Sequence, residues 1–422
     1  MIIVTKLKYS FLLGLLFFLS FSALAQDKEY ALSCDKILAS PLFHGRGFVK
    51  NGDKKASRFI VTELEKWGLK AFGSSYYQAF PFDINTISKA EVTIDSRNWK
   101  LGVDYLVFTG SSSAKGTYPL YYPKDFNIDT YRKQNHRNEL FVLDTIHYKS
   151  PDLIANYTNI IKNNAFNNSV GIVEVSHRRL IQHQSTYELG YPFIQIKEAS
   201  WDSTAQEMRL NIKNNLKIQY KTQNVIAYIE GEIDSFFVFG AHYDHLGRVG
   251  KTVYFPGAND NASGVSTLLT LAKYYHDHHI KPKYSIAFMF FSAEEAGLIG
   301  SLYYTKNPLF PLNKIKFLFN LDMVGTGVEG LSVVNGKKHL KASRLIQKIN
   351  TEHNYFTDIR IGKGSANSDH HFFDMSGVPA VFLFTRGGPQ FYHDIYDRSE
   401  TLEMNKVEEL IQLLLQFTNE YE

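Results

Sequence analysis

His242 and Asp244 stand two residues apart just after an apolar run; Glu294 and Glu295 follow a second run, and Asp322 closes a third. Asp260 opens a loop before a helical segment, and His393 lies beyond a fourth apolar run. Singly, each has an ordinary explanation. His242 and Asp244 could be a satisfied loop pair, and Asp260, in Asn-Asp-Asn, a turn or helix cap. The Glu pair could be the acidic first turn of a helix. Asp322 fits such a reading poorly, because an unpaired carboxylate at a buried strand end is costly. Jointly, imidazole nitrogens and carboxylate oxygens are the ligand set that zinc takes. Two neighbouring ions need a shared ligand, usually a carboxylate. Adjacent glutamates then divide naturally: one ligates, and the other stays free as a general base. The chain has no His-Glu-x-x-His helix and no Gly-x-Ser-x-Gly elbow, which disfavours a thermolysin-like site and a serine hydrolase of that class.

The segments that must position these residues alternate between strand and helix from about residue 219. Runs 236–241, 284–291, 315–321 and 378–384 read as buried strands. Helical patterns cover 264–275, 298–304 from a start near Ala296, 341–353 and 404–417. The predicted fold class is α/β, a mainly parallel mixed sheet flanked by helices. In such a sheet, loops at the carboxyl ends of the strands converge on the site. Upstream, 56–69 reads as a helix and 76–82 as a short strand. Residues 88–218 read as an inserted β-rich domain, with strands at 90–94, 105–108, 139–143, 169–175 and 192–196. The expected divisions are 1–25, 26–87, 88–218 and 219–422.

The blocks Gly240-Ala-His-Tyr-Asp-His-Leu-Gly247, Gly257-Ala-Asn-Asp-Asn-Ala-Ser-Gly264, Glu294-Glu-Ala-Gly-Leu-Ile-Gly-Ser301, Asn320-Leu-Asp-Met323 and Tyr392-His393 carry a resemblance. In that order they resemble the zinc peptidase family that includes bacterial leucyl aminopeptidase and glutamate carboxypeptidase. The likeness covers about 35–85 and 219–422; residues 88–218 more loosely resemble the family's protease-associated insert. The resemblance implies a zinc exopeptidase fold and two zinc ions per chain. It implies His242 and Asp322 on one ion, Glu295 and His393 on the other, and Asp260 bridging. Asp244 would orient His242, and Glu294 would be the general base. Ser368-Asp369-His370 resembles a block near the substrate pocket.

The implied function is an exopeptidase acting on peptides, an aminopeptidase before a carboxypeptidase. Acids are plentiful, and Arg386 is the visible candidate to clamp a terminal carboxylate. Two alternatives are a glutaminyl cyclase-like enzyme, with one zinc, and an inactive peptidase scaffold that only binds. Gly-Leu-Ile-Gly-Ser after the Glu pair weighs against the cyclase.

Composition agrees with an ordinary globular chain: 422 residues, 44% hydrophobic and 21% charged. The net charge is +4, and no basic run suggests nucleic acid. Lys6 and Lys8, the apolar run Phe11–Leu19 and Ala23-Leu-Ala25 read as a secretion signal cut after Ala25. The mature protein is thus expected in the periplasm or outside the cell, without a membrane anchor. Its one cysteine, Cys34, is read as structural, and His276-Asp-His-His279 as a polar helix end rather than a metal site. Oligomeric state is left open.

Overall fold

The computed structural model describes residues 27–94, 97–122, 136–144 and 169–422. The expected signal segment 1–25 lies outside them. Among the described residues no helix is long and apolar enough to cross a membrane.

Four parallel strands form the centre of the sheet, in the order Ala380–Arg386, Ile315–Leu321, Ile233–His242, Tyr284–Phe291. Glu207–Ile229 closes one side antiparallel to Tyr284–Phe291. Gly330–Val334 closes the other, antiparallel to Ala380–Arg386, and Ile359–Ile361 follows it. The sheet is therefore mixed with a parallel centre, as the alternating pattern predicted.

These strands are apolar on both faces because both faces are covered. Phe237, Phe239, Phe288 and Phe319 point into a core closed by helices Gly52–Lys66, Ser263–Asp277, Leu340–His353 and Val407–Glu420. Phe236, Val238 and Met289 point the other way, onto Tyr304 and Phe373 of helices Ile299–Lys306 and His370–Met375. Cys34 is free and buried in the first core, and burial pushes its thiol up to about 12.

Chain order also fixes where a site can form. From Ile233–His242 the chain moves to Tyr284–Phe291 on one side, then returns to Ile315–Leu321 on the other. That reversal opens a crevice beyond the carboxyl end of Ile233–His242.

The β-rich region is joined to this sheet by a long ribbon. Tyr77–Ile94 and Glu207–Ile229 pair antiparallel from Tyr77↔Val225 to Ile94↔Met208. The expected divisions at 87/88 and 218/219 fall inside these two strands. The register shifts at Phe82/Ile84 and Ile87/Lys89. Each shift resets the two-residue alternation, which is why 76–82 and 90–94 read as separate strands. Beyond the ribbon, Ala114–Tyr121, His136–Asp144, Ser169–Ser176, Phe193–Lys197 and Tyr105–Val107 follow in spatial order around a second core, which also takes in Leu246, Val249 and Phe255.

Candidate metal centre

The expected residues meet at that crevice. His242 ends its strand and is 1% exposed. Its Nε2 lies 3.3 Å from Asp260 Oδ1 and 3.4 Å from Asp322 Oδ1. On the far side of Asp260, His393 Nε2 lies 3.3 Å from Asp260 Oδ2 and 3.0 Å from Glu295 Oε2. Asp260 thus turns one oxygen toward each histidine.

The spacing fits ions better than direct ion pairs. Charge-assisted N–H···O bonds run at about 2.7–2.9 Å. Two ligands each about 2.0–2.1 Å from a shared tetrahedral ion stand roughly 3.3 Å apart. The 3.0–3.4 Å separations match the second geometry. Electrostatics points the same way. Asp260, Glu295 and Asp322 are all buried here, and carboxylates gathered out of water in this way are stabilised by cations. Burial opposes charge on His393, yet Glu295 and Asp260 outweigh it and push the imidazole up to about 11. Burial likewise opposes charge on Glu295, but His393 and His245 hold it down to about 2. The donor set, its spacing and its charge fit a pair of zinc ions.

Loop chemistry explains how Asp260 is held. Asp397 accepts the backbone N–H of Asn259 at 2.9 Å and of Asp260 at 3.0 Å. The fully buried Arg46 donates from Nε, Nη1 and Nη2 to the carbonyls of Tyr243, Leu38, Pro256, Gly257 and Asp260. Asn259, Asn261 and Ser263 accept the N–H groups of Gly325, Met323 and Val324, and so fasten this loop to the one carrying Asp322. The peptide between Asp260 and Asn261 is cis.

Two glycines of the block leave room for this packing. A Cβ on Gly257, at φ +61, would lie 2.4 Å from His245 Cδ2; one on Gly264 would lie 2.3 Å from Asn261 Oδ1 and 2.5 Å from Leu321 O. Gly264→Ala is therefore expected to cost about 1–3 kcal/mol. Thermal unfolding with metal analysis checks this: melting temperature and zinc content should fall together.

Asp244 acts differently from the expected imidazole-orienting carboxylate. Its carbonyl, not its carboxylate, pairs with His242 Nδ1 at 3.1 Å; the carboxylate oxygen is 3.9 Å away. Asp244 Oδ1 instead accepts the backbone N–H of Glu294 at 3.1 Å. Asp244 thus still leaves His242 Nε2 to face the cluster, and its side chain positions the Glu294 turn. Burial pushes its carboxyl up to about 8.

Glu294 and Glu295 lie in a turn ahead of Ile299–Lys306, not in that helix's first turn. Glu294 Oε2 is 3.9 Å from His242 Nε2, farther than Asp260 or Asp322. Burial, with Asp322 and Glu295 nearby, raises its pKa well above the usual carboxylate value against the pull of His242. Ser368 donates to Asp322 Oδ2 at 2.7 Å and accepts from Asn320 Nδ2 at 2.7 Å, so the Ser-Asp-His block does meet the site. Asp369 is fully buried, and burial pushes it up to about 7.

His245 has no role in the sequence reading, although it sits in the first block. Its Nδ1 meets Glu295 Oε1 at 2.6 Å, and its donor atom, with those of Asp260 and Glu295, lies within a 4.8 Å group. A second such group is His242, Glu294 and Asp322. Of the two imidazoles near Glu295, His393 reaches both Glu295 and Asp260, while His245 makes a hydrogen bond to the other Glu295 oxygen. The geometry therefore suits His393 as a ligand and His245 as the group that holds Glu295. Arg386 is engaged elsewhere: its Nη2 is 2.5 Å from Asp358 Oδ2. His276 pairs with Asp277 and His278 with the Tyr274 carbonyl, at an exposed helix end.

Residues 224–418 match the profile of peptidase family M28. Aminopeptidase YwaD of Bacillus subtilis is 27% identical over 247 residues, 53% of this chain and 50% of that protein. A probable leucine aminopeptidase 2 of Aspergillus oryzae is 28% identical over 210 residues, 47% of this chain and 39% of that protein. The chain thus spans half or less of the length of these two relatives. The solved structure of a zinc aminopeptidase from Bacillus subtilis superposes with a TM-score of 0.69 at 20% identity, covering 93% of this chain and 95% of that one. The fold is that of the zinc aminopeptidases.

Proposed function

Starting from the place of residues 224–418 in peptidase family M28, we propose that this protein is a two-zinc aminopeptidase that hydrolyses peptides from a free amino end. The observation that carries the reading is Asp260, with one carboxylate oxygen toward His242 and the other toward His393. His242 and Asp322 would hold one ion, Glu295 and His393 the other, and Asp260 both. When bound, the ions would polarise the scissile carbonyl and acidify water.

The protein's own groups supply the rest. Glu294 sits beyond the closest ligand distances and is the free carboxylate of the pair. It takes a proton from the attacking water as the oxygen bonds to the carbonyl carbon. It then passes that proton to the amine nitrogen as the carbon–nitrogen bond breaks. Asp244 fixes the backbone of Glu294, and Ser368 fixes the orientation of Asp322.

Charge supports aminopeptidase over carboxypeptidase. A carboxypeptidase needs a free cation to clamp the terminal carboxylate of its substrate. Arg386, the candidate clamp, is paired with Asp358. Two ligand pairs around a shared carboxylate also favour two ions, and hence the peptidase over a one-zinc cyclase. Aminoacyl anilides with a free amine should be cleaved, and their N-acetylated counterparts should react at least about 100-fold more slowly, as expected when a charged contact worth roughly 3 kcal/mol is lost. Equal rates on the two series would sink the assignment.

A further inference from the structure

We propose that the loop 180–184 of the β-rich region is a working part of this active site, and that His183 is a specificity-determining residue touching the side chain of the bound peptide. This rests on the aminopeptidase reading and adds a substrate-side wall to it.

The loop is fixed to the metal-site loops on both sides of His183. The Gln182 carbonyl accepts His393 Nδ1–H at 2.7 Å, and the Gln182 N–H donates to the His393 carbonyl at 3.3 Å. The side chain of Gln182 is buried and donates to Val107 O at 3.0 Å. Gln184 Nε2 donates to the His245 carbonyl at 2.6 Å. The backbone of His183 is satisfied as well: its N–H donates to Gln182 Oε1 at 3.1 Å, and its carbonyl accepts Thr109 Oγ1 at 2.5 Å.

The His183 ring is left at the exposed rim of the site. It stands edge-on to His393, with centroids 5.4 Å apart and an interplanar angle of 73°. Tyr392, 42% exposed, stacks on His393 at 3.8 Å. His393 Nε2 faces Glu295 and Asp260 between them. A ring from each part of the molecule therefore borders the approach to the second ion position. A ring whose backbone is already immobilised loses little further freedom on binding. Its face and edge suit apolar and aromatic side chains.

The test is steady-state kinetics of the full chain, His183→Ala and His183→Phe on free-amine Ala, Leu and Phe anilides, with zinc measured for each protein. For His183→Ala, kcat/KM should fall about three- to tenfold on the Leu and Phe substrates. The change should lie mainly in KM and be smaller on the Ala substrate, with zinc content unaltered. His183→Phe should restore most of the preference. Side-chain preferences in both variants that superimpose on the unaltered protein would overturn the proposal, as would an equal kcat loss on every substrate. If the unaltered protein cleaves none of the three, the aminopeptidase reading itself fails and this proposal with it.

Discussion

Glu294→Gln is expected to lower kcat by about 10²–10⁴-fold, the range a general base supplies, while the chain keeps its zinc. The amide is close in shape, so the turn held by Asp244 should survive. What it lacks is basicity: it cannot take a proton from water. Because Glu294 stands 3.9 Å from His242 Nε2, beyond the nearer oxygens of Asp260 and Asp322, its charge is not needed to complete either ligand pair. Metal analysis and single-turnover kinetics on one preparation separate the two effects. Near-normal turnover would show that another group accepts the proton; lost zinc would show that Glu294 is itself a ligand.

Asp260→Ala should abolish detectable activity and remove most of the bound zinc. This residue faces both imidazoles, so its loss takes a ligand from each position at once. The remaining groups, His242 with Asp322 and His393 with Glu295, would each be a pair without its shared member. Supporting groups alone typically change metal affinity by about 10–100-fold; a shared ligand should exceed that. Zinc titration against a competing chelator is the measurement. Two ions retained with unchanged affinity would refute the bridging role.

How much was legible in the sequence follows from which contacts are local. Strand ends, glycines and the Glu pair are read along the chain, so His242, Asp260, Glu295, Asp322 and His393 could be gathered before any coordinates. Roles that depend on distant partners were not legible. His245 looks like a neighbour of His242 until Glu295, fifty residues on, takes its Nδ1. Arg46 and Asp397 serve Asp260 through backbone groups, which leave no side-chain pattern to recognise. The same cause hid the use of Asp244, whose carboxylate binds an N–H of another loop. The ribbon was missed for a different reason. Two register shifts, at Phe82/Ile84 and Ile87/Lys89, interrupt its alternation, so one long strand reads as separate short ones.

The ribbon has a consequence for anyone wishing to trim the protein. Its two strands run side by side, so excising the β-rich lobe and sealing the stump with a tight turn looks harmless to the sheet. The cut would nevertheless withdraw the carbonyl of Gln182, and His393 would lose the acceptor that directs its other nitrogen inward. What resembles a detachable accessory is a brace for one of the residues at the heart of the cleft.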